Sequence, residues 1–189
     1  MEMAGYNREK ALHLLHEHIS TENLIKHMLA AEAVMRRLAR HFGEDEDLWG
    51  IVGLLHDLDY DYTKDAPERH ALLGGEILEK EGFPPEVVRA VKAHNESHNL
   101  PRAERIDQAL WATDPVTGLI TAGALIKPEK SLWAIDVPFL VKRMKEKSFA
   151  RGANREQIRS CVHLGLSLED FLGLSLEAMQ GIAGELGLG

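Results

Sequence analysis

Apolar residues recur at three- and four-residue steps along nearly all of this 189-residue chain, and strand-like alternation is hard to find. Leu24, Met28, Ala31, Met35, Leu38 and Phe42 form one such stripe, with Ser20 or Thr21 as N-cap and Gly43 as stop. Leu48, Ile51, Val52 and Leu55 mark a second helix, begun in the acidic run 44–47, which suits a helix N-terminus. Leu73, Ile77 and Leu78 mark a third, opened by Ala66-Pro67. Val87 and Val91 mark a fourth after Pro84-Pro85, and Ile106, Leu110, Thr117 and Ile120 a longer fifth. Segments near 8–17, 136–147, 154–164 and 168–186 also read as helices. Pro67, Pro84, Pro85, Pro101 and Pro128 fall at the starts of these elements or between them. The pattern predicts an all-α fold in one domain over 1–189.

The composition agrees, with 44% hydrophobic and 28% charged residues. A chain of this length buries enough surface to need no disulfide, and Cys161 stands alone, which suits a reducing cytoplasm. Met1, Glu2, Asn7 and Arg8 do not open a secretory leader, and apolar runs such as 49–55 are too short to span a membrane. A net charge of −8 disfavours nucleic acid and anionic membranes as partners and leaves homo-oligomerisation open. Gly-Leu-Ser-Leu-Glu occurs twice, at 165–169 and 173–177, and reads as two successive Ser N-caps, Ser167 and Ser175. The glycine-rich tail after Gly181 is expected to fray.

Several chemistries are missing. The chain has no Gly-rich phosphate loop, no dinucleotide fingerprint and no nucleophile elbow. His16-Glu17-His18 lacks the second histidine of a zincin motif, and Cys161, beside Ile158 and Val162, reads as a buried inert thiol.

Four histidines lie on the wrong faces. His27 falls inside the stripe of its helix, and His56 follows Val52 by one turn with Asp57 beside it. His70 begins the stripe of Leu73 and Ile77, His94 lies three residues beyond Val91, and Asp114 follows Leu110 by one turn. A lone inward histidine is commonly a hydrogen-bonded core residue. A carboxylate, however, seldom enters a core unpaired. A shared divalent cation would explain all the anomalies together.

In this order, His27, His56-Asp57, His70, His94 and Asp114 resemble the ligand series of the HD-domain superfamily of metal-dependent phosphohydrolases. The resemblance covers about 20–125, leaving 126–189 as C-terminal helices. It implies a helical fold with His27, His56, Asp57 and Asp114 on one metal. Asp57 would bridge to a second metal held by His70 and His94. The cofactor would be one or two divalent transition ions, Fe, Mn, Ni, Co or Zn. His-Asp is followed by Leu58-Asp59-Tyr60-Asp61, so the lysine of some subfamilies is missing, as is the Gly-Tyr-Pro of cyclic-dinucleotide hydrolases. Asp59 and Asp61 read as solvated residues at a helix end, with orientation of an imidazole as the alternative. His98 and Glu96 are candidate proton donors to a leaving group, an exposed helix end being the alternative for His98.

The segment 127–159 carries nine bases against four acids, a balance of +5 that leaves −13 for the rest. Arg151-Gly152-Ala153 leads into Asn154-Arg155-Glu156-Gln157, which resembles a capping box. A basic loop feeding a helix N-terminus favours an anion, so Lys147, Arg151 and Arg155 are candidate phosphate contacts; a solvated basic face is the alternative. The expected function is hydrolysis of a phosphate ester in a small phosphorylated metabolite or nucleotide by metal-activated water, with Asp57 at its centre. A di-iron oxygenase of the same superfamily and a non-catalytic nucleotide- or metal-binding module are the alternatives.

Overall fold

A computed structural model describes residues 6–189; Met1 and Glu2, part of the reading against a leader, lie outside them. Helix α1 (Arg8–His18) is capped by Asn7, whose Oδ1 accepts from the Lys10 amide. It is followed by α2 (Glu22–Phe42), which carries the Leu24–Phe42 stripe and stops at Gly43. Gly43 takes the left-handed conformation, φ 70°, that a glycine adopts without a Cβ penalty. Asp45 caps α3 (Glu46–Leu55), which runs along α2. The chain continues through α4 (Tyr60–Thr63), α5 (Leu72–Lys80), α6 (Pro85–Ala93) and the long α7 (Arg105–Leu125). Then come α8 (Val137–Met144), α9 (Arg155–Arg159), α10 (Leu168–Gln180) and α11 (Ala183–Leu186). The described residues form no strand, and the fold is all-α. None of their helices is long and apolar enough to cross a membrane.

Helix α2 is the hub, with α3, α7, α10 and α11 packed around it. Its buried face presents Met28, Ala31, Met35 and Leu38 to the core. Gly53 lets α3 approach closely, because a Cβ there would lie 2.6 Å from the Ala31 carbonyl oxygen. That approach brings the C-terminal end of α3, where His56 and Asp57 follow, against the stretch of α2 containing His27.

Helix α7 carries a proline in its interior. Pro115 has no N–H to offer the Trp111 carbonyl one turn back. Gln157, on α9, donates its side-chain amide to that oxygen at 3.0 Å. The break beside Asp114 is thereby satisfied by a C-terminal element.

Three sequence expectations need correction here. Ser167 does cap α10, accepting from the Asp170 amide, but Ser175 lies buried within the same helix and donates to the Phe171 carbonyl at 2.7 Å. The tail does not fray: α11 follows Gly181, Leu188 is buried, and its carbonyl accepts from the Leu132 amide at 2.9 Å. The helix expected to start at Pro67 is split, with a short 3-10 turn at 67–69 and a break at Ala71 (φ 73°) before α5.

Gly53→Ala is expected to force α2 and α3 apart. Thermal or denaturant unfolding should show a loss of about 1–3 kcal/mol, and unchanged stability would contradict this packing.

Candidate metal centre

Two of the six proposed ligands project from within long helices, His27 from α2 and Asp114 from α7. The other four sit at helix ends. His56 is the C-cap of α3 with Asp57 in the following turn, His94 is the C-cap of α6, and His70 ends the 3-10 turn before Ala71. The expectation that each ligand lies on a helix face therefore holds for only two of them. Helix ends bring side chains from several directions to one point.

The six residues form two overlapping groups. The Nε2 atom of His27 lies 3.1 Å from His56 Nε2, 3.0 Å from Asp114 Oδ1 and 3.4 Å from Asp57 Oδ2. His56 Nε2 lies 3.3 Å from Asp57 Oδ2 and 3.4 Å from Asp114 Oδ1. In the second group, Asp57 Oδ1 faces His70 Nε2 at 3.2 Å and His94 Nε2 at 3.1 Å. The two carboxylate oxygens of Asp57 are thus divided, one to each group. Donors around 2.0–2.2 Å from a common ion, at right angles, stand about 3 Å apart. The observed spacings match that edge.

The imidazoles are also held in the orientation that metal binding needs. His56 Nδ1–H donates to the Gly53 carbonyl at 2.7 Å and His94 Nδ1–H to the Val91 carbonyl at 2.5 Å. His70 Nδ1–H donates to Asp59 Oδ1 at 2.8 Å. Thr117 Oγ1 gives its proton to the Asp114 carbonyl, so it accepts from His27 Nδ1–H at 3.1 Å. All four rings therefore carry a proton on Nδ1 and turn Nε2 inward. Were both neutral, His27 and His56 would face each other with lone pairs, which cannot hydrogen-bond; an added proton or a shared cation relieves that contact.

Other buried acids show the contrast. Glu32 is met by Arg8 and Arg36, and Asp107 by Arg89. Asp59, fully buried, accepts from the Ala71 and Gly74 amides at 2.7 Å as well as from His70. The nitrogens within 3.4 Å of the Asp57 carboxylate belong to imidazoles. The donors, imidazole and carboxylate without sulfur, fit divalent transition metal ions, and their chemistry leaves the choice among those ions open.

Electrostatics records the same concentration of negative charge. Burial opposes a proton on His27, but hydrogen bonds to Asp114 and Asp57 outweigh it and lift the imidazole to about 9. For His70, burial is outweighed by Asp57 and Asp59, again reaching about 9. His56 rises well above its ordinary value because the charge of Asp57 overcomes desolvation. Burial would raise Asp57 and Asp114, yet the surrounding histidines hold both far below the usual carboxylate range.

The remaining candidates divide. Asp59 is not solvated; it orients His70 and captures two amides, which explains the break at Ala71. Asp61 accepts from Thr21 and ties α4 to the start of α2. His98 Nε2–H donates to the His70 carbonyl at 2.6 Å, so His98 braces the His70 turn, and Glu96 is exposed. Neither belongs to the donor groups. Arg155 is not free for phosphate, because its guanidinium donates to the carbonyls of Arg143, Met144, Glu146, Phe149, Ala150 and Ala153. It gathers the end of α8 and the loop 145–153 around itself. That loop sets Arg151 in a cleft shared with His27 and Asp114, while Lys147 is exposed and outside the residues lining that cleft. Burial pushes the Cys161 thiol up to about 11, consistent with an inert residue.

Sequence reasoning missed Pro115 and Gln157. A proline beside Asp114 in the middle of a helical pattern was the available signal. Its partner, from α9, could not be read locally.

In metal-free protein the raised histidines bind protons more tightly folded than unfolded. Their contribution to stability is full below pH 6.5, the ordinary histidine value, and vanishes as pH rises through about 9. EDTA-treated protein is therefore expected to lose thermal stability across that interval, whereas metal-loaded protein, whose ions displace those protons, keeps its midpoint. A flat metal-free profile would contradict the assignment.

The HD domain family model matches residues 24–124. Ribonuclease Y of Clostridium perfringens is 30% identical over 139 residues, 71% of this chain and 27% of that protein. Ribonuclease Y of Fusobacterium nucleatum is 29% identical over the same length, and that of Oleidesulfovibrio alaskensis is 26% identical over 98 residues. The chain thus spans about a quarter or less of the curated relatives it matches. No solved structure matches. The name of these relatives, whose substrate is RNA, overturns the expectation of a small phosphorylated substrate and no nucleic acid. That expectation used the net charge of the whole chain, whereas a phosphate meets only the cations near the site. With the ligand order, the helical fold and the family match in agreement, the chain belongs to the HD-domain family.

Proposed function

We propose that this chain is a metal-dependent phosphohydrolase that cleaves phosphodiester bonds in RNA. The observation that carries the reading is the division of the Asp57 carboxylate between two sets of inward Nε2 atoms. His27, His56, Asp57 and Asp114 would hold one divalent ion, and Asp57, His70 and His94 a second. Bound there, such ions supply Lewis acidity toward phosphoryl oxygens and lower the pKa of water toward 7. The ribonuclease Y relatives support RNA as the substrate.

The protein's own groups supply the rest. Asp59, the Gly53 and Val91 carbonyls and Thr117 fix the imidazoles, so the ligands need no reorganisation during the reaction. Arg151 offers a guanidinium to a phosphate oxygen on the His27 and Asp114 side. Asn95 donates to the Pro67 and His70 carbonyls and, with His98, holds the turn that presents His70.

The test combines metal content with RNA cleavage. Asp57→Ala is expected to lose both ions and His94→Ala to keep the first, as measured by elemental analysis of the purified proteins. Metal-loaded parent should cleave RNA and EDTA should abolish cleavage, while Arg151→Ala should raise KM about tenfold with metal content unchanged. Equal metal content in Asp57→Ala and the parent would overturn the bridging role, and no RNA cleavage under any of the five metals would overturn the activity.

A further inference from the structure

Two clefts open beside the candidate centre and share part of their lining. One, of about 470 Å³, includes Asn23, Lys26, Thr121 and Leu188 in its lining. The other, of about 430 Å³, includes Asp114, Arg151, Gly152 and Gln157. His27, Gly118 and Ala122 line both, so the clefts form one groove across the face of α7 that carries Asp114.

Gly118 lies one turn after Asp114, exposed at the junction. Glycine within a helix weakens it, and a close contact is the usual reason to find one there. Gly123, in the same helix, has that reason, since a Cβ would lie 3.1 Å from the Phe139 ring. Gly118 does not: a Cβ there would meet no atom within 4 Å. Its missing side chain leaves the groove floor open where the two clefts meet, beside the metal ligands.

Cations stand on both sides of that junction. Lys26 borders the first cleft and pairs with Glu22, one turn away and largely exposed, a weak solvated contact that a phosphate can replace. Arg151 stands exposed at the second. A duplex presents one negative charge per roughly 1.7 Å of axis, a density that two local cations on a chain of net charge −8 do not match. A single strand has half that density and can bend into a cleft between helices.

Resting on the ribonuclease reading, we propose that single-stranded RNA crosses α7 over Gly118, between Lys26 and Arg151, and that Gly118 is the residue that admits a polynucleotide to the centre. A large side chain at position 118 would close the groove to the strand.

The test reads binding separately from turnover. Fluorescence anisotropy of metal-loaded protein uses a labelled, hydrolysis-resistant phosphorothioate RNA of about ten nucleotides. Gly118→Leu is expected to bind it at least about tenfold more weakly than the parent, with unchanged metal content and a thermal midpoint no lower. Gly118→Ala, whose Cβ fits the open space, should bind nearly as the parent does. Binding by Gly118→Leu equal to that of the parent, or no binding by the parent, overturns the groove. A parent that binds the strand through a Gly118-sensitive groove yet cleaves no RNA overturns the ribonuclease reading and supports the groove.

Discussion

The structure depends on one carboxylate. Asp57 lies in the interior with each oxygen turned toward a different pair of imidazoles. Among the described residues, its hydrogen-bond and ion-pair partners are imidazoles, with no arginine, lysine or backbone amide. A buried anion so placed is costly unless positive charge joins it, either as protons on the histidines or as metal ions. The Nδ1 contacts leave Nε2 of each ring facing the carboxylates, where it carries a proton in the metal-free protein and is free to bind an ion that displaces that proton.

The surrounding architecture serves that arrangement. Gly53 allows α3 to come down onto α2 so that His56 and Asp57 reach His27. Asp59 immobilises His70 from behind and, through the amides of Ala71 and Gly74, bends the chain that delivers it. On the far side, Pro115 releases the Trp111 carbonyl and Gln157 takes it. The C-terminal elements are thereby fastened to the helix that carries Asp114. Arg155 then shapes the loop that sets Arg151 beside it.

The helical class was legible in the apolar spacing, and the six candidate ligands, which the fold brings together, stood out through their order along the chain, which resembles the HD-domain series, more than through helix faces, since four of them sit at helix ends. Asp59 was misread because its position next to Tyr60 and Asp61 looks like a polar helix end, and its partners at 70–74 lie more than ten residues away. Arg155 was misread for a related reason. A basic residue at a helix start looks like an anion contact until the carbonyls around it are known. Ser175 repeats the local sequence of Ser167, and only the continuation of α10 through Gly173 distinguishes them. Net charge is a poor guide to an anionic partner, because it averages over the whole surface, whereas Lys26 and Arg151 each border a cleft beside His27.

X-ray absorption at the K-edge of the metal in reconstituted protein reads the donor set itself. A shell of nitrogen and oxygen with imidazole scattering from two histidines per ion is expected, with a metal–metal vector of about 3.5–4 Å. An ion surrounded by oxygen alone, without imidazole scattering, would contradict that donor set.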